Sequence, residues 1–142
     1  MKEQLVSFET AKLAKGKGFD EYTDYIFITH HSHPVKTHHK DKNSDNNEVY
    51  SDGCWEQEYF VCSAPSQSLL QKWLRDEHNI DVWAQPFVVE RSNGDPYIAD
   101  ESYSYFLFKD GVFIDDGVDY LDFEDALESG LYEALKLING TN

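Results

Sequence analysis

The sequence predicts an α+β fold: a two-layer sandwich in which about three helices pack on one face of a largely antiparallel sheet. Segments rich in aromatic and β-branched residues follow one another through short turns, which is typical of antiparallel hairpins. Three other segments carry apolar residues at helical spacing. The length of 142 residues fits one domain, so we predict a single domain over residues 1–142.

The first third of the chain predicts one helix, one strand and a polar excursion. Ser7 is the predicted N-cap of a short helix that ends at Gly16. Residues 25–29 have the composition of a strand. Residues 30–53 contain almost no apolar side chain, so we predict a flexible, His-rich loop or hairpin excursion there. Residues 49–50 are the candidate for a short strand inside it.

The central stretch, residues 62–82, follows a predicted strand at 55–62 and contains a helix that leads into another strand. Pro65 suits the first position of that helix, because its missing N–H would have no intrahelical partner. We expect exposed N–H groups around residues 63–67, where a carboxylate of a ligand or partner would bind. The apolar side chains of the helix share one face: Leu69, Leu70, Trp73 and Leu74.

Two interpretations of this helix stay open. Its apolar face is typical of a helix that packs on a sheet and leaves its polar face in water. Alternatively, the polar residues contact a partner. That candidate partner surface consists of Ser63, Ser66, Gln67, Gln71 and Arg75.

The following segment predicts strands joined by turns. Residues 80–89 form a strand that Pro86 restricts to a sheet edge or a bulge. Asn93-Gly94 favours a type I′ turn. Residues 103–109 are the strongest strand, and Asp110-Gly111 joins them to a partner strand at 112–114.

The C-terminal part predicts an acidic loop and a closing helix. The loop covers residues 115–119, and Asp122 caps the helix with Asp125 at a capping-box-like spacing. Gly130 lies on or near the apolar face and permits close approach to the sheet. Asn139-Gly140 ends the helix.

The formal net charge is −15, and it is unevenly distributed. Residues 90–142 carry three Lys or Arg against thirteen Asp or Glu. Such a chain is repelled by nucleic-acid phosphates and by anionic membranes, so we expect no direct nucleic-acid binding and no membrane binding. The same charge leaves open an acidic DNA mimic that inhibits a nucleic-acid-binding protein.

The cellular compartment is inferred from segments and residues that the sequence lacks. It has no apolar segment of signal-peptide or membrane-span length. Cys54 and Cys62 are its two cysteines, which is too few for a disulfide framework. We therefore predict a cytoplasmic protein.

A cluster of histidines is the candidate metal site. Imidazole binds zinc, nickel and copper, and cysteine thiolates add to zinc sites. The spacing matches no zinc finger or metalloprotease signature, so we expect no resident cofactor. The candidate ligands are His30, His31, His33, His38 and His39.

No catalytic motif is present. The sequence has no GxSxG, HExxH or P-loop pattern. Cys62 and His78 stand at opposite ends of the central helix, too far apart for a dyad. The aspartates of residues 110–122 lack the spacing of a calcium loop. We expect a protein that is not an enzyme.

Two segments, CSAPSQSLLQKWLRDEHNIDV and FEDALESGLYEALKLI, resemble a family of short uncharacterised proteins of Bacteroides-type gut bacteria, their phages and mobile elements. An ETAKLAKGKGFDE-like piece is often shared as well, and the similarity covers about half of the chain. The resemblance implies a cytoplasmic, mobile-element context and assigns no activity and no functional residues.

Together these features predict a small, acidic, non-enzymatic accessory or protein-interaction protein of bacterial or phage origin. The alternatives are a metal-binding or small-molecule-binding domain that uses the His-rich loop, and the acidic DNA mimic.

Overall fold

The structure is a computed structural model that describes residues 4–28, 33–43, 49–50 and 58–138. The chain divides into two compact units, unit 1 (residues 1–69 and 139–142) and unit 2 (residues 70–138). The prediction of a single domain stays a prediction. The elements in chain order are α1 (Phe8–Gly16), β1 (Thr23–Ile28), β2 (Val35–Asp41), β3 (Val49–Tyr50), β4 (Glu58–Ser63), α2 (Gln67–His78), β5 (Ile80–Glu90), β6 (Pro96–Lys109), β7 (Val112–Tyr120) and α3 (Phe123–Lys136).

The α+β class is confirmed, because helices pack against antiparallel sheets. Within the described residues, the strands form two sheets, ordered β2-β1-β4-β3 and β5-β6-β7. The helices are divided between them: α1 packs against β4, and α3 packs against β5, β6 and β7. No helix of the described residues is long and apolar enough to span a membrane.

Unit 1 is built around β1, which pairs with β2 on one side and β4 on the other. Its buried side chains include Ile26 and Phe27, and the Phe27 ring lies 5.1 Å from the ring of Phe8 on α1. The predicted N-cap of α1 is confirmed, since the Ser7 side chain accepts a hydrogen bond from the Thr10 N–H.

Part of the predicted excursion at residues 30–53 is ordered sheet. Val35–Asp41 pairs antiparallel with β1, and the short strand Val49–Tyr50 is confirmed by its pairing with β4. We did not predict β2 because its sequence, VKTHHKD, is polar; an edge strand tolerates such a sequence. Residues 30–32, 44–48 and 51–53 lie outside the described part of the chain.

Unit 2 contains two predicted type I′ turns, of which one is confirmed and the other is not. Asp110 and Gly111 both have positive φ, 53° and 80°, as a two-residue type I′ turn requires. At the other turn only Gly94 has positive φ, and the loop closes through an Arg91 N–H to Asp95 C=O bond of 2.8 Å. The predicted type I′ turn at Asn93-Gly94 was therefore wrong.

The edge position of β5 and its bulge near Pro86 are confirmed. The acidic loop predicted at residues 115–119 was wrong, because these residues belong to β7 and pair with β6. Aspartate disfavours strands in general, but β7 is an edge strand whose side chains are mostly exposed, so the charges stay in water.

Helix α3 seats closely on the sheet of unit 2. Its predicted N-cap is confirmed by a bond of 2.8 Å from the Asp125 N–H to Asp122 Oδ1. A Cβ added at Gly130 would lie 2.7 Å from Val82 Cγ1 and 3.1 Å from Tyr105 Cβ. Gly130 therefore permits the close approach that the sequence predicted. Residues 139–142, with the predicted helix stop, lie outside the described residues.

We predict that Gly130→Ala lowers the free energy of unfolding. Overpacking a core costs ~1–3 kcal/mol, and the better helix propensity of Ala offsets about 1 kcal/mol at most. Urea unfolding followed by circular dichroism measures the change. Gly16→Ala is the matched control, because an added Cβ there meets nothing within 4 Å. A Gly130→Ala variant that gains as much stability as Gly16→Ala would contradict the close seating.

Candidate interaction surface

The start of α2 is held inside unit 1. The helix begins at Gln67, so the prediction that Pro65 takes its first position was wrong. Ser66 Oγ accepts a hydrogen bond from the Leu69 N–H at 3.1 Å. The Gln67 N–H donates to the Gln4 carbonyl at 2.8 Å, and the Val6 N–H donates to the Pro65 carbonyl at 3.0 Å.

These bonds correct the expectation that the N–H groups around residues 63–67 are exposed to a ligand. The N-terminal segment forms an antiparallel bridge, Leu5 to Ser66, that covers the helix start. The sequence of residues 4–6 gives no sign of this role, because a single bridge needs no strand pattern.

The candidate partner surface does not form one exposed face. Ser63 and Gln67 are buried, so they cannot contact a partner. Gln71 Nε2 donates to the Val82 carbonyl of β5. Arg75 is exposed, with its Nε 3.9 Å from Asp76 Oδ1, and Ser66 caps the helix. Ser66 and Gln71 thus serve backbone groups that would otherwise lack partners.

The histidine site stays a prediction. His30 and His31 lie outside the described residues, His38 and His39 belong to β2, and His33 is exposed. Among the described residues, no three His, Cys, Asp or Glu side chains are grouped so that they would hold a metal ion.

Cys62 is a buried, protonated thiol. It is fully buried in unit 1, and burial raises its pKa to about 12, against a smaller opposite effect of Lys15 and Lys12. Lys15 Nζ donates to the neighbouring Val61 carbonyl at 2.6 Å. At neutral pH the thiolate needed for nucleophilic attack or metal binding is therefore scarce.

We predict that Cys62 resists alkylation in the folded protein. Raising a thiol pKa from 9.0 to about 12 lowers the thiolate fraction at pH 8 by about a thousandfold. Iodoacetamide labelling of a Cys54→Ser variant, read by mass spectrometry, isolates this thiol. Labelling should be slow in buffer and fast in urea. Equal rates would show that the thiol is accessible in the folded state.

The most conspicuous surface of unit 2 is a row of aromatic rings that crosses its sheet. The Trp83 ring stacks on Phe108 at 4.9 Å and lies 6.0 Å from Phe106, and Phe113 meets Phe108 edge-on at 5.6 Å. These four residues, one on β5, two on β6 and one on β7, are called the aromatic ladder below.

The ladder lies on the face opposite α3. Side chains alternate along a strand, and Val82 and Tyr105, next to Trp83 and Phe106, face Gly130 of α3. Trp83 is 40% exposed and Phe113 is 52% exposed.

Two carboxylates lie on the face of the ladder. Asp81 pairs with Phe108 across β5 and β6, and Asp116 pairs with Phe106 across β6 and β7, so both carboxylates share the face of the ladder. No Lys or Arg of the described residues forms an ion pair with Asp116. The ladder is thus an apolar strip flanked by carboxylates.

Comparison with protein-family models, with curated proteins and with solved structures gives no match. The resemblance to the Bacteroides-type family stays a prediction.

Sequence reasoning missed the ladder as a surface. The signal was present in residues 103–109, YSYFLFK, where apolar side chains occupy both alternating sets of positions. Such a pattern is typical of a strand covered on both faces. Since α3 covers one face of this sheet, the second apolar set is left for another layer or a partner.

Proposed function

We propose that the protein is a small, acidic, non-enzymatic interaction protein that binds a protein partner through the aromatic ladder. The observation that supports the proposal is the row of ring contacts that joins Trp83, Phe106, Phe108 and Phe113 on the sheet face opposite α3. Trp83 and Phe113 are exposed, and Phe106 and Phe108 are half-buried between them. Exposed apolar patches of this kind mark sites of protein association.

The chemistry of the ladder suits a binding hot spot. Aromatic residues, Trp above all, contribute most of the affinity of many interfaces, because a large rigid side chain is buried at a small cost in side-chain entropy. Trp83 stacks on Phe108 and also contacts the ring of Phe106, and both contacts restrict the indole. A partner would therefore meet a surface that is already ordered.

The proposed context is the bacterial or phage cytoplasm, as an accessory protein. The resemblance of the two quoted segments to proteins of bacteria, phages and mobile elements supports this context, and the acidic composition agrees with a protein that stays off nucleic acid and membrane surfaces.

Site-specific photo-crosslinking in the cell of origin tests the proposal. We expect p-benzoylphenylalanine at position 113 to give a defined protein adduct, because Phe113 lies at the exposed end of the ladder. The matched control is the same replacement of Phe123, which is 43% exposed and begins α3. Adding Trp83→Ala should suppress the adduct at 113. Adducts of equal yield at both positions, or none, would contradict the proposed surface.

A further inference from the structure

We infer that the occupant of the aromatic ladder is a basic protein segment whose arginine side chains stack on the exposed rings and pair with Asp81 and Asp116. This inference rests on the proposed function, and it adds the chemistry of the partner. Three observations support it. The face carries carboxylates, the protein's own Lys and Arg side chains lie over other aromatic rings, and the negative charge disfavours other occupants.

The charge of the face selects a cationic partner. Asp81 and Asp116 flank the ladder, and both carboxylates point to the side of the rings. Asp81 lies two residues before Trp83 on β5, and Asp116 lies beyond Phe106 on β7, so arginines that stack along the ladder would meet one carboxylate at each side of it. Neither carboxylate is paired with a Lys or Arg of the described residues. Guanidinium and carboxylate form two parallel hydrogen bonds, so such a pair adds specificity as well as attraction.

The chain places its own cations over other aromatic rings but not over the ladder. In the described part of the chain, each of these cations lies 4.8 to 5.1 Å from a ring centroid: Arg91 over Tyr97, Lys42 over Tyr22, Lys136 over Tyr132 and Lys12 over Phe8. None of the ladder rings has such a neighbour among the described residues. Trp is the best cation–π acceptor, and Arg stacks on it with its planar group.

The same charge disfavours the other occupants. A second copy of this chain would bring together two faces that each carry Asp81 and Asp116, within two molecules of net charge −15. Like charges brought together at an interface are costly, and nucleic acid would be repelled in the same way. A basic protein segment is the occupant that both the rings and the carboxylates attract.

Binding of defined peptides to the full chain tests the inference. The probes are nona-arginine, nona-lysine and nona-glutamate, measured by isothermal titration calorimetry at low and at moderate salt. We expect nona-arginine to bind more tightly than nona-lysine, nona-glutamate not to bind, and the affinity for nona-arginine to fall as salt rises.

Variants locate the binding site. Trp83→Ala should weaken nona-arginine binding by more than tenfold. Trp83→Phe should weaken it by a few fold, because a phenyl ring replaces the indole and is a weaker cation–π acceptor. Tyr97→Ala is the matched aromatic control, since Tyr97 is also 40% exposed. Asp116→Asn should weaken binding severalfold. Asp95→Asn, in the exposed turn between β5 and β6, removes the same charge and should change little.

The outcomes separate the inference from the proposed function. If Asp116→Asn and Asp95→Asn have equal effects and Trp83→Ala has none, nona-arginine binds the general acidic surface and the inference is overturned. If the Phe113 crosslink still forms and depends on Trp83, the proposed function stands with a partner that is not basic. Circular dichroism and thermal unfolding of Trp83→Ala and of Trp83→Phe, which keeps an aromatic ring, show whether a loss of binding reflects a loss of folding.

Discussion

The packing of α3 on one face of the β5-β6-β7 sheet is the interaction on which unit 2 depends. It buries Val82, Tyr105 and Leu107 beneath the helix, and the missing side chain of Gly130 lets the helix axis come close. Gly117 on β7 leaves room for the Tyr105 ring, because a Cβ there would lie within 3 Å of three of the ring atoms. Since α3 covers one face, the opposite set of strand residues is left on the other face, where Trp83 and Phe113 are exposed. That set contains the aromatic ladder, so the seating of one helix determines where an interaction surface can exist.

Much of the fold could be predicted from local sequence signals, because those signals have local physical causes. Ser7 and Asp122 cap their helices through side-chain oxygens, and Asp110-Gly111 adopts the left-handed backbone of a tight turn. Features that depend on pairing with another segment, and not on the composition of the segment itself, were missed. The strand in VKTHHKD is stabilised by its pairing with β1, and residues 115–119 become a strand because β6 lies beside them. The same holds for α2, whose first N–H is bonded to a carbonyl more than sixty residues away along the sequence.

The candidate site, too, depends on contacts that the local sequence does not show. The polar residues at and before α2 were predicted as a partner surface. However, Ser63 and Gln67 are buried, and Gln71 donates a hydrogen bond to a strand carbonyl. Exposure depends on which elements cover a residue, and a single sequence does not contain that information for Trp83 or Phe113. The sequence shows that the chain is acidic, and the structure shows where two of the carboxylates lie. Asp81 and Asp116 flank a strip of aromatic rings, and this combination of carboxylates and π faces favours guanidinium groups over other partners.

The most direct test of the account is a nuclear magnetic resonance titration of uniformly ¹⁵N-labelled protein with unlabelled nona-arginine. The indole N–H of Trp83 reports on the ladder, and the backbone N–H groups of Phe106, Phe113 and Asp116 report on the strands around it. The account predicts that these signals shift first and saturate together, while the indole N–H of the buried Trp73 stays in place. Shifts that begin instead at the acidic start of α3, around Asp122 and Asp125, with the Trp83 signal unmoved, would contradict it.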